Sequence, residues 1–249
     1  MKLSGNTVFI TGGGSDIGRG LAEALHKNGN QVIIAGRRKD RLIGVARANP
    51  GMQWVELDIK NPASISAVAD KLIAEYPKLN VLFNNARVMQ IDDGAAAIDE
   101  KLLVTTLTTN VMGPIRMTGA LIEHLKHQPD ATVINNSSVL AFVPLAVTAV
   151  YSATKAALHS YTLSLRYKLK DTFVKVLEIA PPWVQTDLLG SNNEPRAMSL
   201  AEFIEETMRV LATDADEILV ERAKPLRNNA GPNEAAFVFQ FNDGMAQVQ

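Results

Sequence analysis

The stretch "FITGGGSDIGRGLAEAL", Phe9 to Leu25, runs an apolar segment into three glycines and then into a helix-forming pattern. Glycines at such a turn let the backbone bend tightly and approach a ligand. The helix that follows offers free N–H groups and the positive end of its dipole. The arrangement suits a phosphate, yet it carries a carboxylate, Asp16, in its middle. A carboxylate about 5 Å from a phosphate costs on the order of 3 kcal/mol at an effective dielectric near 20, which is about a hundredfold in affinity.

Outward from this loop the chain alternates. Apolar runs at Thr7–Thr11, Gln31–Gly36, Gln53–Asp58, Asn80–Asn85, Ala131–Asn136 and Val174–Ala180 have the near-continuous hydrophobicity of strands buried on both faces. A weaker seventh run covers Glu217–Glu221. Helical patterns such as "RGLAEALHKNG" and "SISAVADKLIAEY" separate them. This alternation predicts one α/β domain over residues 1–249: a doubly wound Rossmann fold with a mainly parallel sheet of about seven strands flanked by helices. Two segments break the rhythm. Residues 187–213 read as a lid over the carboxyl ends of the strands, and 222–249 as a tail packed on the body or on a neighbouring subunit.

With 47% hydrophobic and 20% charged residues, the composition is that of an ordinary globular chain. The net charge of −1 gives no field to attract a nucleic acid. The absence of cysteine removes disulfides and thiolate metal sites, and a cytoplasmic address is expected. The first residues read as a strand, not a signal peptide, and no run is long enough for a membrane span. The four histidines, His26, His124, His127 and His159, are scattered. The helix-spaced pair at 124 and 127 reads as solvated surface, so no metal is expected.

The end of the second strand bears on the ligand. An acid there would hold a ribose 2′-hydroxyl; this chain has "AGRRKDR", with Arg37 and Arg38 in its place, which favours NADP(H) over NAD(H). "YSATK" sets Tyr151 and Lys155 on one helical face, where an ammonium can stabilise a phenolate. Ser138 follows "VINNS", thirteen residues upstream of Tyr151. By itself the Tyr–Lys pair is a common accident of amphipathic helices.

Taken together, the glycine loop, "NNA" at Asn84–Ala86, "TTNVMGP" around Asn110, "NNSS" ending at Ser138, "YSATK" and "APPWVQT" resemble the short-chain dehydrogenase/reductase family in order and spacing, over almost the whole chain. The later segments are most similar to its DltE-like and carbonyl reductase branch. The resemblance implies Tyr151 as general acid/base, Lys155 as holder of the nicotinamide ribose, Ser138 as a guide for the substrate oxygen, and Asn110 as support for a water reaching the lysine. It implies cofactor contacts from Gly12, Gly14, Ser15, Asp16, Ile17, Gly18, Arg37, Arg38, Asp58, Ile59, Asn85, Ala86, Pro181, Val184 and Thr186. A homodimer or homotetramer is implied as well.

The expected activity is hydride transfer between NADP(H) and a ketone or secondary alcohol. The alternatives are a dinucleotide-binding regulatory or scaffold protein without turnover, and an epimerase or dehydratase on the same fold. Pro144, Leu145, Trp183, Leu188, Leu189 and the loop to Met198 are expected to line an apolar pocket for a hydrophobic or aromatic ketone. Three positions depart from the family pattern: Asp16 and Arg87 stand where glycine is usual, and Asn136 where an apolar residue is usual. Asp16 and Arg87 either pair across the cleft, sparing a phosphate the repulsion, or point apart.

Overall fold

The structure is a computed structural model, and it describes residues 1–246. Seven parallel strands form a single sheet in the order β3-β2-β1-β4-β5-β6-β7. They are β1 (Thr7–Thr11), β2 (Gln31–Gly36), β3 (Gln53–Glu56), β4 (Leu79–Asn84), β5 (Thr132–Asn136), β6 (Lys175–Ile179) and β7 (Glu217–Ile218). Every predicted strand is present. The seventh shrinks to two residues because it pairs only with Glu178 and Ile179 at the edge of the sheet.

Alternate residues of each strand feed opposite faces, which is why the apolar runs are continuous. Val8, Ile10, Val32, Ile34, Val81 and Phe83 join one core with α1 (Asp16–Lys27), α2 (Lys39–Ala48) and α7 (Leu200–Leu211). Phe9, Ile33, Leu82 and Val133 join the other, under α3 (Pro62–Glu75) and α5 (Gly113–Lys126). The remaining helices are α4 (Glu100–Leu107), α6 (Ala149–Lys168), α8 (Lys224–Arg227) and α9 (Glu234–Ala246).

Both irregular segments contain helix. Residues 188–193 form a kinked turn, with Leu189 and Gly190 both at positive φ. The second half of the segment read as a lid is α7, whose Phe203, Thr207 and Leu211 are buried. Its amphipathic pattern serves the core. The predicted tail begins at the short α8 and ends in α9, which is tied to the body where Asn242 Oδ1 accepts the N–H of Ala146 at 2.6 Å. Residues 247–249 of that tail lie outside the described residues.

Strand order reverses between β1 and β4, which turn their chains to opposite sides. The crevice outside their carboxyl ends is where this kind of sheet binds ligands. The glycine loop leaves β1 at that point, and Asn85–Arg87 leave β4 beside it.

Candidate active site

The glycine loop is built for close backbone approach. Gly12 sits at φ +70°, and a Cβ there would come within 2.9 Å of Ala86 Cα. A Cβ on Gly18 would lie 2.3 Å from both Asn85 Nδ2 and Gly12 O. The loop, the β2 end and the β4 end together enclose a cleft of about 480 Å³. Of the predicted contacts, Gly12, Gly14, Ser15, Asp16, Arg37, Arg38, Ile59, Asn85 and Ala86 line it. Thr186 lines an adjoining cleft of about 680 Å³ that shares Gly14, Ser15 and Asp16.

The other predicted contacts fall elsewhere. Ile17 and Val184 are buried in the core, and Gly18 packs against Asn85. Asp58 Oδ1 accepts the N–H of Lys60 at 3.1 Å, so its carboxylate shapes its own turn while Ile59 faces the cleft. Pro181 is buried, and its carbonyl accepts the N–H of Val139. Among the expected pocket residues Met198 belongs to the core, and Pro144 is exposed.

The Asp16–Arg87 ion pair does not form among the described residues. Asp16, at φ +52°, turns its Oδ1 to the N–H of Asp187 at 2.8 Å. Arg41 reaches Asp187 Oδ2 at 3.1 Å, and Asn192 donates to Oδ1 at 2.9 Å. These donors hold the Asp187 carboxyl below its usual range, Asn192 first and Arg41 next. Asp16 therefore ties the segment after β6 to the glycine loop at Asp187. Arg41 was missed by the sequence reading although it stands in the same "RRKDR" run. Arg38 Nη2 donates to Ser15 Oγ at 2.9 Å, and Arg37 has no hydrogen-bond partner among the described residues. Three guanidinium groups thus border one end of the cleft.

Arg87 and Asn136 converge on one atom, Asn85 Oδ1, which accepts from Arg87 Nη1 at 3.4 Å and from Asn136 Nδ2 at 2.8 Å. The other end of Asn85 donates to Thr11 O and Gly12 O. Asn136 is buried and its own Oδ1 has no partner.

Ser138, Tyr151, Lys155 and Asn110 are all buried, and none of them lines either cleft among the described residues; Asn136, which holds Lys155 by its carbonyl and Asn85 by its amide, links them to the cleft wall. Lys155 Nζ donates to Asn136 O at 2.7 Å and lies 5.4 Å from the Tyr151 ring centroid. Burial pushes the Lys155 ammonium down to about 7, helped by the Arg87 charge and opposed by Glu178. Burial raises the Tyr151 phenol above its ordinary value, while the Arg87 charge and the Ser138 hydroxyl pull it back. Asn110 lies in a π-helical turn, Thr108–Met112, inserted between α4 and α5, a local irregularity common at working sites. It donates to Val88 O and to Thr154 Oγ1, and accepts from Val88 N–H. Both amide hydrogens are spent on locking the loop after β4 to α6, so only Oδ1 retains a lone pair for a water. His124 and His127 each bond a backbone carbonyl.

The short chain dehydrogenase family model matches residues 6–197. The chain is 38% identical over 234 residues to the uncharacterized oxidoreductase DltE of Bacillus subtilis (strain 168), covering 92% of this chain and 93% of that one. A short chain dehydrogenase from Burkholderia cenocepacia J2315, solved in complex with NADP, superposes with a TM-score of 0.85 at 26% identity, covering 96% and 98% of the two chains. A 3-ketoacyl-(acyl-carrier-protein) reductase from Brucella melitensis, complexed with NADH, gives 0.77 at 26% identity over 86% and 93%. By its doubly wound sheet, its glycine cleft and these likenesses, the chain belongs to the short-chain dehydrogenase/reductase family of oxidoreductases.

Proposed function

We propose that the chain transfers a hydride between NADP(H) and a ketone or secondary alcohol, with Tyr151 handling the proton. The observation that carries this reading is the chain of contacts from buried Lys155, one turn beyond Tyr151 on α6, through Asn136 to Asn85 in the wall of a cleft whose glycines leave no room for side chains. Burial also lowers the Lys155 ammonium to about 7, the kind of perturbed group that clusters at working sites.

The residues present fit a dinucleotide. The positions where a Cβ would collide with the opposite wall, Gly12 and Gly18, are those needed for a pyrophosphate to approach the backbone. Arg37, Arg38 and Arg41 crowd the end of β2, where a 2′-phosphate would lie, and no acid stands there to take a ribose 2′-hydroxyl. The cofactor supplies the hydride. Ser138 and Tyr151 hold the carbonyl oxygen by hydrogen bonds, and Tyr151 gives its proton to that oxygen as negative charge develops there. Lys155 places a positive charge under the phenol and so stabilises the phenolate left behind. In the direction of alcohol oxidation the same phenolate takes the proton.

Leu188 in the cleft wall and Leu145, whose N–H donates to Ser152 of α6, are apolar and suit a hydrophobic ketone. Val104, Leu107 and Met112, with Leu163 and Tyr167 of α6, are exposed and apolar, which supports a second copy of the chain packing on this side. Fluorescence titration with NADPH and NADH at one ionic strength tests the cofactor reading: NADPH is expected to bind more tightly. Tyr151→Phe is then expected to abolish turnover while leaving that binding in place. Equal binding of the two cofactors would remove the arginines as readers of the 2′-phosphate. Retained turnover in Tyr151→Phe would remove the proton role.

A further inference from the structure

The catalytic helix carries a charge cluster on its inner face that the reaction above leaves unused. Tyr151, Lys155 and His159 follow at four-residue spacing on α6 and share one face. His159 Nδ1 lies 2.8 Å from Glu178 Oε2. Glu178 belongs to β6, in register with Asn135, and the next residue along β5, Asn136, supplies the carbonyl that holds Lys155. Asn135 itself donates to Thr162 of α6, so this face of β5 and β6 looks onto the catalytic helix.

Glu178 is 1% exposed, and its other oxygen, Oε1, has no hydrogen-bond donor among the described residues. A buried carboxylate so poorly served needs positive charge nearby. The groups around it are Lys155, His159 and Arg166 from α6, Glu217 from β7 and Arg227 from α8. Arg227 forks onto Glu217 at 2.8 and 3.0 Å, and its guanidinium covers the Phe142 ring at 4.6 Å. That ring meets His159 edge-on at 4.9 Å and holds it in place. Ligand atoms of His159, Glu178 and Glu217 lie within 4.8 Å of one another, but Arg227 already supplies Glu217 with its cation. Arg166 reaches outward to Asp216 at 3.6 Å. The Arg227 charge also bears on Glu178, whose one direct hydrogen-bond partner among the described residues is His159, one turn beyond Lys155 on α6.

We propose that Glu178, fixed by His159, is a positioning residue for the proton chemistry at Tyr151: its carboxylate is the buried counter-charge that keeps Lys155 an ammonium. Arg87 drives Lys155 toward its neutral form from the cofactor side, and Glu178 is the one group acting in the opposite sense. The inference rests on the roles given above to Tyr151 and Lys155.

The test uses cofactor-free full-length protein labelled with [6-13C]lysine. The Lys155 signal is identified by its absence in Lys155→Met and followed against pH in the parent, Glu178→Gln, His159→Ala and the double variant. Lys155 is expected to titrate about one pH unit lower or more in Glu178→Gln. His159→Ala should move it the same way, because Glu178 loses the donor that fixes its carboxylate among the described residues. The double variant should move it no further than Glu178→Gln alone. An unchanged Lys155 titration in Glu178→Gln, or shifts that add in the double variant, would overturn the proposal. Should Glu178→Gln fail to fold, His159→Ala, at a partly exposed helix position, decides alone: no shift overturns the proposal. The alkaline limb of turnover is expected to move with the signal. Absence of any reductase activity would instead sink the proposed reaction and leave the NMR result to stand or fall by itself.

Discussion

Lys155→Met should make the protein more stable at neutral and acid pH, and the gain should vanish as pH rises. The lysine is fully buried, and its ammonium is pushed from 10.5 to about 7 chiefly by desolvation. An unfolded chain keeps that lysine protonated up to its ordinary range. Between pH 7 and 10.5 the unfolded state therefore binds more protons than the folded one, so this group makes stability rise with pH across that window. Below pH 7 the burden is complete, about 5 kcal/mol at 1.36 kcal/mol per pH unit. Methionine removes it but leaves the Asn136 carbonyl without the donor that Lys155 supplied at 2.7 Å, a loss of about 1–3 kcal/mol. The variant should accordingly gain about 2–4 kcal/mol at pH 6. That advantage should shrink by about 1.4 kcal/mol for each pH unit above 7. Urea unfolding of parent and variant at pH 6, 7, 8 and 9, at one protein concentration, measures the difference directly. A difference that stays flat with pH, or a variant weaker than the parent at pH 6, would refute the reasoning.

Asp16→Gly should tighten NADPH binding on the order of tenfold to hundredfold, since it removes a carboxylate from the phosphate loop and a non-glycine residue from φ +52°. Calorimetric titration checks it, and unchanged affinity would mean that the Asp187 N–H already neutralises the carboxylate. Arg38→Ala should weaken NADPH by about tenfold while leaving NADH nearly unaffected, as read by fluorescence titration of both. Gly18→Ala should cost about 1–3 kcal/mol or more in chemical denaturation, because its Cβ would meet Asn85 Nδ2 and Gly12 O at 2.3 Å. Arg87→Ala and Asn136→Val should prove non-additive in unfolding free energy, since both act on Asn85 Oδ1; strict additivity in a double-mutant cycle would separate them.

The fold was legible because its determinants are local and periodic. Apolar runs such as Val32–Ala35 and Val81–Phe83 announce strands covered on both faces, and glycine placement marks the crossover at the switch point. What periodicity could not show is which core an amphipathic helix joins. The segment after Leu200 read as part of a lid, yet Phe203 and Leu211 complete the core beside α1. Side-chain direction was equally hidden. Asp16 and Arg87 sit on neighbouring loops, but Asp16, at positive φ, accepts the Asp187 N–H on its Oδ1, and no ion pair with Arg87 forms among the described residues.

The proposed catalytic set is legible as a spacing, whereas its electrostatics come only from distant partners. Glu178 is twenty-three residues beyond Lys155 in the chain and carries no motif, so nothing local ties it to the lysine. The tie is made by the register of β5 and β6, which sets Glu178 beside Asn135 and one step from the carbonyl that holds Lys155. The departures from the family pattern act through the same neighbourhood. Arg87 and Asn136 both load Asn85 Oδ1, and Arg87 also bears on Tyr151 and Lys155. A positive charge placed there destabilises the ammonium while favouring the phenolate. A site with Arg87 in place of glycine therefore leans harder on a buried anion to keep its lysine charged, and Glu178 is the anion that the sheet delivers to it.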